Sequence, residues 1–140
     1  MKLLIVDDEE EILKMLKRHL DLEGIEVHGF TSAQEALEDH RKHLYPVVLS
    51  DIRMPGMTGV ELVREVKKIH PTCIVFIMTG YANLDSLVEC LELGVLDYFH
   101  KPLEDLTFLT DSLKEAFQRQ ERWKRNLIGL HKTKKVESAA

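Results

Sequence analysis

Five short apolar runs, each followed by an amphipathic stretch, constrain this chain more than anything else in its sequence. The runs lie at residues 3–6, 27–30, 47–49, 73–78 and 98–100. Three are almost continuously apolar, as strands covered on both faces must be. Between them, Ile12, Leu13, Leu16 and Leu20 fall on one helical face, and Val60, Val63, Val66 and Ile69 fall on another. Ser32 with Glu35 and Thr58 with Glu61 have capping-box spacing, which places the starts of a second and a third helix. Asn83 is a candidate cap for a fourth helix and Gly94 a candidate stop. Gly24 and Pro71 stand where turns must precede strands. A β-α unit repeated five times predicts an α/β fold, a doubly wound parallel five-stranded sheet with right-handed crossovers. The last helix is predicted to start near Leu103 and stop near Gly129. At about 26 residues it is roughly twice the average length, so its far half is expected to project from the domain.

The 140 residues suit one domain, expected over 1–118, with 119–140 as a helical extension and a polar, basic tail or linker. The longest apolar run, residues 73–78, is far short of the ~20 residues a membrane helix needs. No secretory-signal pattern opens the chain, and Cys73 and Cys90 lack CxxC spacing. A cytoplasmic protein with two buried free thiols is therefore expected. Residues 1–117 carry 12 Lys and Arg against 22 Asp and Glu, which makes the body a poor surface for nucleic acid. Residues 118–140 carry 7 against 2, including Arg119, Arg122, Lys124, Arg125, Lys132, Lys134 and Lys135. A solvated helix face with a linker is the expectation there.

Chemistry concentrates where the predicted strands end. The first runs into Asp7 and Asp8, the third into Asp51, the fourth into Thr79 and the fifth into Lys101. In an open parallel sheet, ligands bind outside the carboxyl ends of the strands, where the strand order reverses. Three carboxylates gathered there would repel one another, and a hard divalent cation such as Mg²⁺ relieves that repulsion. Asp51 could then act as a carboxylate nucleophile, Lys101 could neutralise charge on a transferring phosphoryl group, and the Thr79 hydroxyl could donate to it.

The strings IVDDEE at 5–10, LSDIRMPGMTG at 49–59, FIMTGYA at 76–82 and DYFHKPL at 97–103 resemble the receiver domains of two-component response regulators. Their order, spacing and strand placement match over residues 1 to about 118. The resemblance implies a flavodoxin-like strand order 2-1-3-4-5 and a switch driven by phosphoryl transfer to Asp51 from a sensor histidine kinase. It also implies Mg²⁺ held directly by Asp8 and Asp51, with support from Asp7 and a further ligand in the backbone carbonyl of Arg53. Thr79 and Tyr98 match the family's switch pair, Lys101 its phosphate-binding lysine, and the Lys101-Pro102 bond its cis peptide. Arg53 and Tyr81 flank the expected path of hydrolytic water, which predicts slow loss of the phosphoryl group.

Other readings predict different features. A Mg²⁺-dependent aspartyl-phosphate hydrolase wants Asp-x-Asp on one strand, whereas Arg53 stands two residues beyond Asp51. A flavodoxin-like cofactor binder wants a phosphate loop after the first strand, which here is acidic. A receiver-like interaction module that is never phosphorylated usually lacks an acidic-site residue or the lysine, and all are present. The expectation is thus a signalling domain and not an enzyme. Asp8 could serve as a helix N-cap, Tyr98 could be strand packing, and the seven histidines, His40 and His43 included, form no convincing metal site in sequence. His100 occupies a position usually apolar in such strands. Leu106, Leu113, Gln120 and Leu127 recur every seven residues, as do Leu109, Ala116, Trp123 and Leu130. That heptad pattern predicts a parallel homodimer paired from Gln120 onward. No membrane contact is expected, and the downstream effector carries no signature in the chain.

Overall fold

A computed structural model describes residues 1–80 and 83–139, with side chains through residue 130. Ten elements alternate without exception. They are β1 (Lys2–Val6), α1 (Glu10–Leu22), β2 (Glu26–Phe30), α2 (Ala33–His43), β3 (Val47–Asp51), α3 (Gly59–Ile69), β4 (Ile74–Thr79), α4 (Leu84–Glu92), β5 (Asp97–His100) and α5 (Leu106–Ala139). All strand pairs are parallel, in the order β2-β1-β3-β4-β5. This is the expected flavodoxin-like topology.

The period of two along each strand explains the unbroken apolar runs. Leu3, Ile5, Val47, Leu49, Phe76 and Met78 face one layer, where Leu16 and Leu20 of α1 and Leu109, Leu113 and Ala116 of α5 cover them. Leu4, Val6, Val48, Val75 and Ile77 face the other, beneath Ala36 and Leu37 of α2, Val63 and Val66 of α3, and Cys90 of α4. Alternate residues leave by opposite faces, and in β3 and nearly all of β1 and β4 both sets are buried.

The helix starts follow the predicted caps. Ser32 Oγ accepts from Glu35 N, Thr58 Oγ1 from Glu61 N, and Asn83 Oδ1 from Asp85 N. Glu9, not Asp8, stands at the N-cap of α1, and it makes no side-chain cap bond. Gly94 follows α4 with φ +90°, a conformation that glycine adopts at least cost. Two expectations for α5 need correction. It begins at Leu106, not Leu103, and it runs through Gly129 to Ala139 because one glycine in a continuous helix is a tolerable cost. Gln120 is not free to pair either, because its Nε2 donates to the carbonyls of Pro46 (3.0 Å) and Thr72 (2.6 Å) at the foot of the sheet. Among the described residues, no helix is long and apolar enough to cross a membrane.

Candidate functional site

After β2 the chain crosses back over β1 to form β3, so the strand order reverses between β1 and β3. Neighbouring crossovers there leave on opposite faces, which opens a crevice at the carboxyl ends. Asp7 leaves β1 into this crevice. Its amide donates to Phe30 O (3.1 Å) and its Oδ1 accepts from Glu9 N (2.9 Å), which turns the backbone into α1. The side chain is wholly buried, and Oδ2 meets the Lys101 ammonium at 2.5 Å. Burial is the largest influence on Asp7 and pushes its pKa above the usual carboxylate value, against the hydrogen bond from Lys101.

Asp51 ends β3 and is 5% exposed. Its Oδ1 accepts from Arg53 N (3.2 Å) and its Oδ2 lies 2.7 Å from Lys101 Nζ. The carboxylate is therefore clamped from both sides. Its backbone is held just as closely, because Gly59 N donates to Ile52 O (2.8 Å) and a Cβ on Gly59 would stand 2.0 Å from Asp51 O. Gly59, which ends the LSDIRMPGMTG string, is there because the start of α3 presses directly on the end of β3.

Lys101 follows β5, two strands away from β3, and its stem spans that distance. Its backbone amide donates to Thr79 O (3.0 Å), which fixes where the stem begins. Burial alone would lower its pKa and is the largest influence. The hydrogen bonds and charges of Asp51 and Asp7 outweigh that effect and raise it, so the ammonium is firmly protonated.

The crevice around these groups is lined by Asp8, Asp51, Arg53, Thr79 and Lys101, among others. Asp7, Asp8, Glu9 and Asp51 each offer a carboxylate oxygen, all within 4.8 Å of one another. An all-oxygen donor set with one member fully buried matches what a hard divalent cation requires. Thr79 is buried at the end of β4. Tyr98 does not enter the crevice. It is half-buried, and its hydroxyl donates to Thr79 O (3.4 Å) and lies 2.7 Å from His100 Nδ1. Tyr81 lies outside the described residues.

Sequence reasoning missed two participants. Glu9 reads as part of an acidic helix start, yet its Oε1 lies 3.4 Å from Lys101 Nζ. His100 had no assigned purpose. Alternate residues of a strand share a face, so its position two beyond Tyr98 was a signal that the two side chains could meet.

Comparison with known proteins gives a consistent result. Residues 3–114 match the family model described as the response regulator receiver domain. The DNA-binding transcriptional regulator NtrC of Klebsiella pneumoniae is 37% identical over 119 residues, which cover 84% of this chain and 25% of that protein. This chain thus spans about a quarter of the length of that relative. A CheY-like receiver domain from Methanospirillum hungatei JF-1 superposes with a TM-score of 0.82 at 35% identity, covering 86% of this chain and 96% of the other. The beryllofluoride-activated NtrC4 receiver domain, solved as a dimer, superposes with a TM-score of 0.77 at 29% identity, covering 85% and 98%.

Proposed function

The chain belongs to the response regulator receiver family, and from that premise we propose that Asp51 is its phosphoacceptor, loaded by a sensor histidine kinase. The observation that carries this is the Lys101 ammonium 2.7 Å from Asp51 Oδ2, in a crevice where Asp7, Asp8 and Glu9 converge. In the proposed transfer, an Asp51 carboxylate oxygen attacks the phosphorus of a phosphohistidine. The new P–O bond forms as the P–N bond breaks, and the imidazole leaves. Lys101 follows the developing charge from the carboxylate onto a phosphoryl oxygen, and the Thr79 hydroxyl donates to another. Asp7, Asp8, Asp51 and the Arg53 carbonyl would hold Mg²⁺, which supplies charge neutralisation at the phosphoryl oxygens.

The readout we propose is a population shift. Recruiting Thr79 toward the phosphoryl group changes the ground beneath Tyr98, whose hydroxyl rests on the Thr79 carbonyl and on His100. The surface of α4, β5 and α5 then changes for an effector or for a second copy of the chain. An aspartyl-phosphate hydrolase is disfavoured, because the residue two beyond Asp51 is Arg53, whose amide binds the Asp51 carboxylate. The test is intact mass after incubation with Mg²⁺ and a small acyl-phosphate donor. One added phosphoryl group, absent in Asp51→Asn, is expected; an unmodified wild-type chain, or equal labelling of Asp51→Asn, overturns the assignment.

A further inference from the structure

A second group of ligating side chains sits away from the crevice, at the amino-terminal edge of the sheet. His40 comes from the last turn of α2, His70 caps the end of α3, and Cys73 immediately precedes β4. The two histidines are 30 residues apart in sequence, yet their ring centroids lie 5.4 Å apart. One ligand atom from each of the three residues falls within 4.8 Å of the others. His40 is fully buried, and its Nε2 has no hydrogen-bond partner; nor has the buried Nδ1 of His70. Two buried imidazole nitrogens without partners, on neighbouring rings, are unusual, because buried polar atoms normally find partners.

We propose that His40, His70 and Cys73 form a site for a borderline-soft divalent cation, Zn²⁺ above all, held by one imidazole nitrogen from each histidine and by the Cys73 sulfur. Two imidazoles and a thiol suit zinc and do not suit Mg²⁺, so this site and the carboxylate crevice select different ions. Zinc–nitrogen bonds of about 2.0–2.1 Å and a zinc–sulfur bond of about 2.3 Å put tetrahedral ligand atoms roughly 3.3–3.6 Å apart. Closing by about 1 Å from the present separation falls within the reach of His70, which lies in a loop-side cap position before Pro71. His70 also lines an open groove with Leu44, Pro46 and Thr72, which gives the ion an entry path and a water for the fourth position.

Three groups resist, and each has a definite consequence. His40 Nδ1 accepts from Tyr45 N at 3.3 Å, so ligation through Nε2 moves the ring proton to Nδ1 and gives up that long bond. Cys73 Sγ donates to Tyr45 O at 3.2 Å, and its thiol proton is released to solvent when the sulfur ligates. Lys67 Nζ is held on Cys73 O at 2.7 Å, where it opposes the cation but favours the thiolate.

The 140-residue chain, chelator-stripped and reduced, titrated with Co²⁺ tests the site. A one-to-one thiolate-to-cobalt charge-transfer band with tetrahedral visible bands is expected, and Zn²⁺ should bleach it. Cys73→Ser should lose the charge-transfer band, and His70→Gln should weaken cobalt binding at least tenfold. Cys90→Ser and Asp51→Asn should leave both unchanged. No charge-transfer band in the wild type, or one that survives Cys73→Ser, overturns the proposal. Should Cys73→Ser fail to fold, X-ray absorption of the wild-type zinc protein decides. One sulfur with nitrogen neighbours upholds the site, and a shell without sulfur overturns it.

Discussion

Lys101 neutralises two carboxylates at once, and one of them, Asp7, has no access to water. Removing the ammonium leaves the pair facing each other unscreened. Lys101→Met is therefore expected to cost about 2 kcal/mol in urea unfolding, below the full range for a broken buried ion pair because Asp51 keeps an edge on solvent. Mg²⁺ should restore part of that loss in the variant. An unchanged midpoint would show that Lys101 is not the counterion of Asp7. His40 sets a different dependence. Burial chiefly, and the neighbouring His70 next, depress its pKa from 6.5 to about 4, so the folded state holds the ring neutral. The unfolded chain takes up the proton first, so stability is full above pH 6.5 and is lost as pH falls toward 4. With chelator present, the loss should approach ~3 kcal/mol and shrink in His40→Gln. A flat profile from pH 7 to about 4 in the wild type would contradict the burial of that imidazole.

At the scale of elements, the junction of β3 and α3 is tightly built. Thr58 caps α3 through Glu61 N, and the next residue, Gly59, lies against the backbone of Asp51 and Ile52. A methyl group there meets main-chain atoms, which cannot rotate away. Gly59→Ala is expected to cost about 3 kcal/mol or more and to cut phosphorylation of Asp51, because strand and helix must part to admit it. Thr58→Ala, which loses only the cap bond, should cost about 1 kcal/mol and leave Asp51 competent. Similar behaviour of the two variants in thermal unfolding and phosphorylation would refute the close approach.

For the whole molecule, α5 decides the shape. Leu109, Leu113 and Ala116 pack it on the sheet, and Gln120 pins it to Pro46 and Thr72. Beyond that pin it continues to Ala139, about 30 Å of helix at 1.5 Å per residue. Trp123, Leu127 and Leu130 are more than half exposed there and share one face. A second copy paired along this face would cover all three, and a receiver of similar structure is known as a dimer. Light scattering should report a dimer for the parent chain and a monomer for Trp123→Glu. A monomeric parent, or a dimer indifferent to the substitution, removes the pairing.

Sequence alone determined the order of the elements and the rim on which the chemistry would collect. Strands buried on both faces must be apolar at every position, and polar residues at their ends are then conspicuous, as Asp7, Asp51, Thr79 and Lys101 are. Local caps at Ser32, Thr58 and Asn83 were legible for the same reason, since each bond spans two or three residues. Tertiary packing alone decided that Lys101 would serve Asp7 as well as Asp51, and that Gln120 would dock. It also decided that His40, His70 and Cys73 would meet. Those are distances between elements far apart in the chain, set by how helices settle on a twisted sheet, and no periodicity in one segment encodes them.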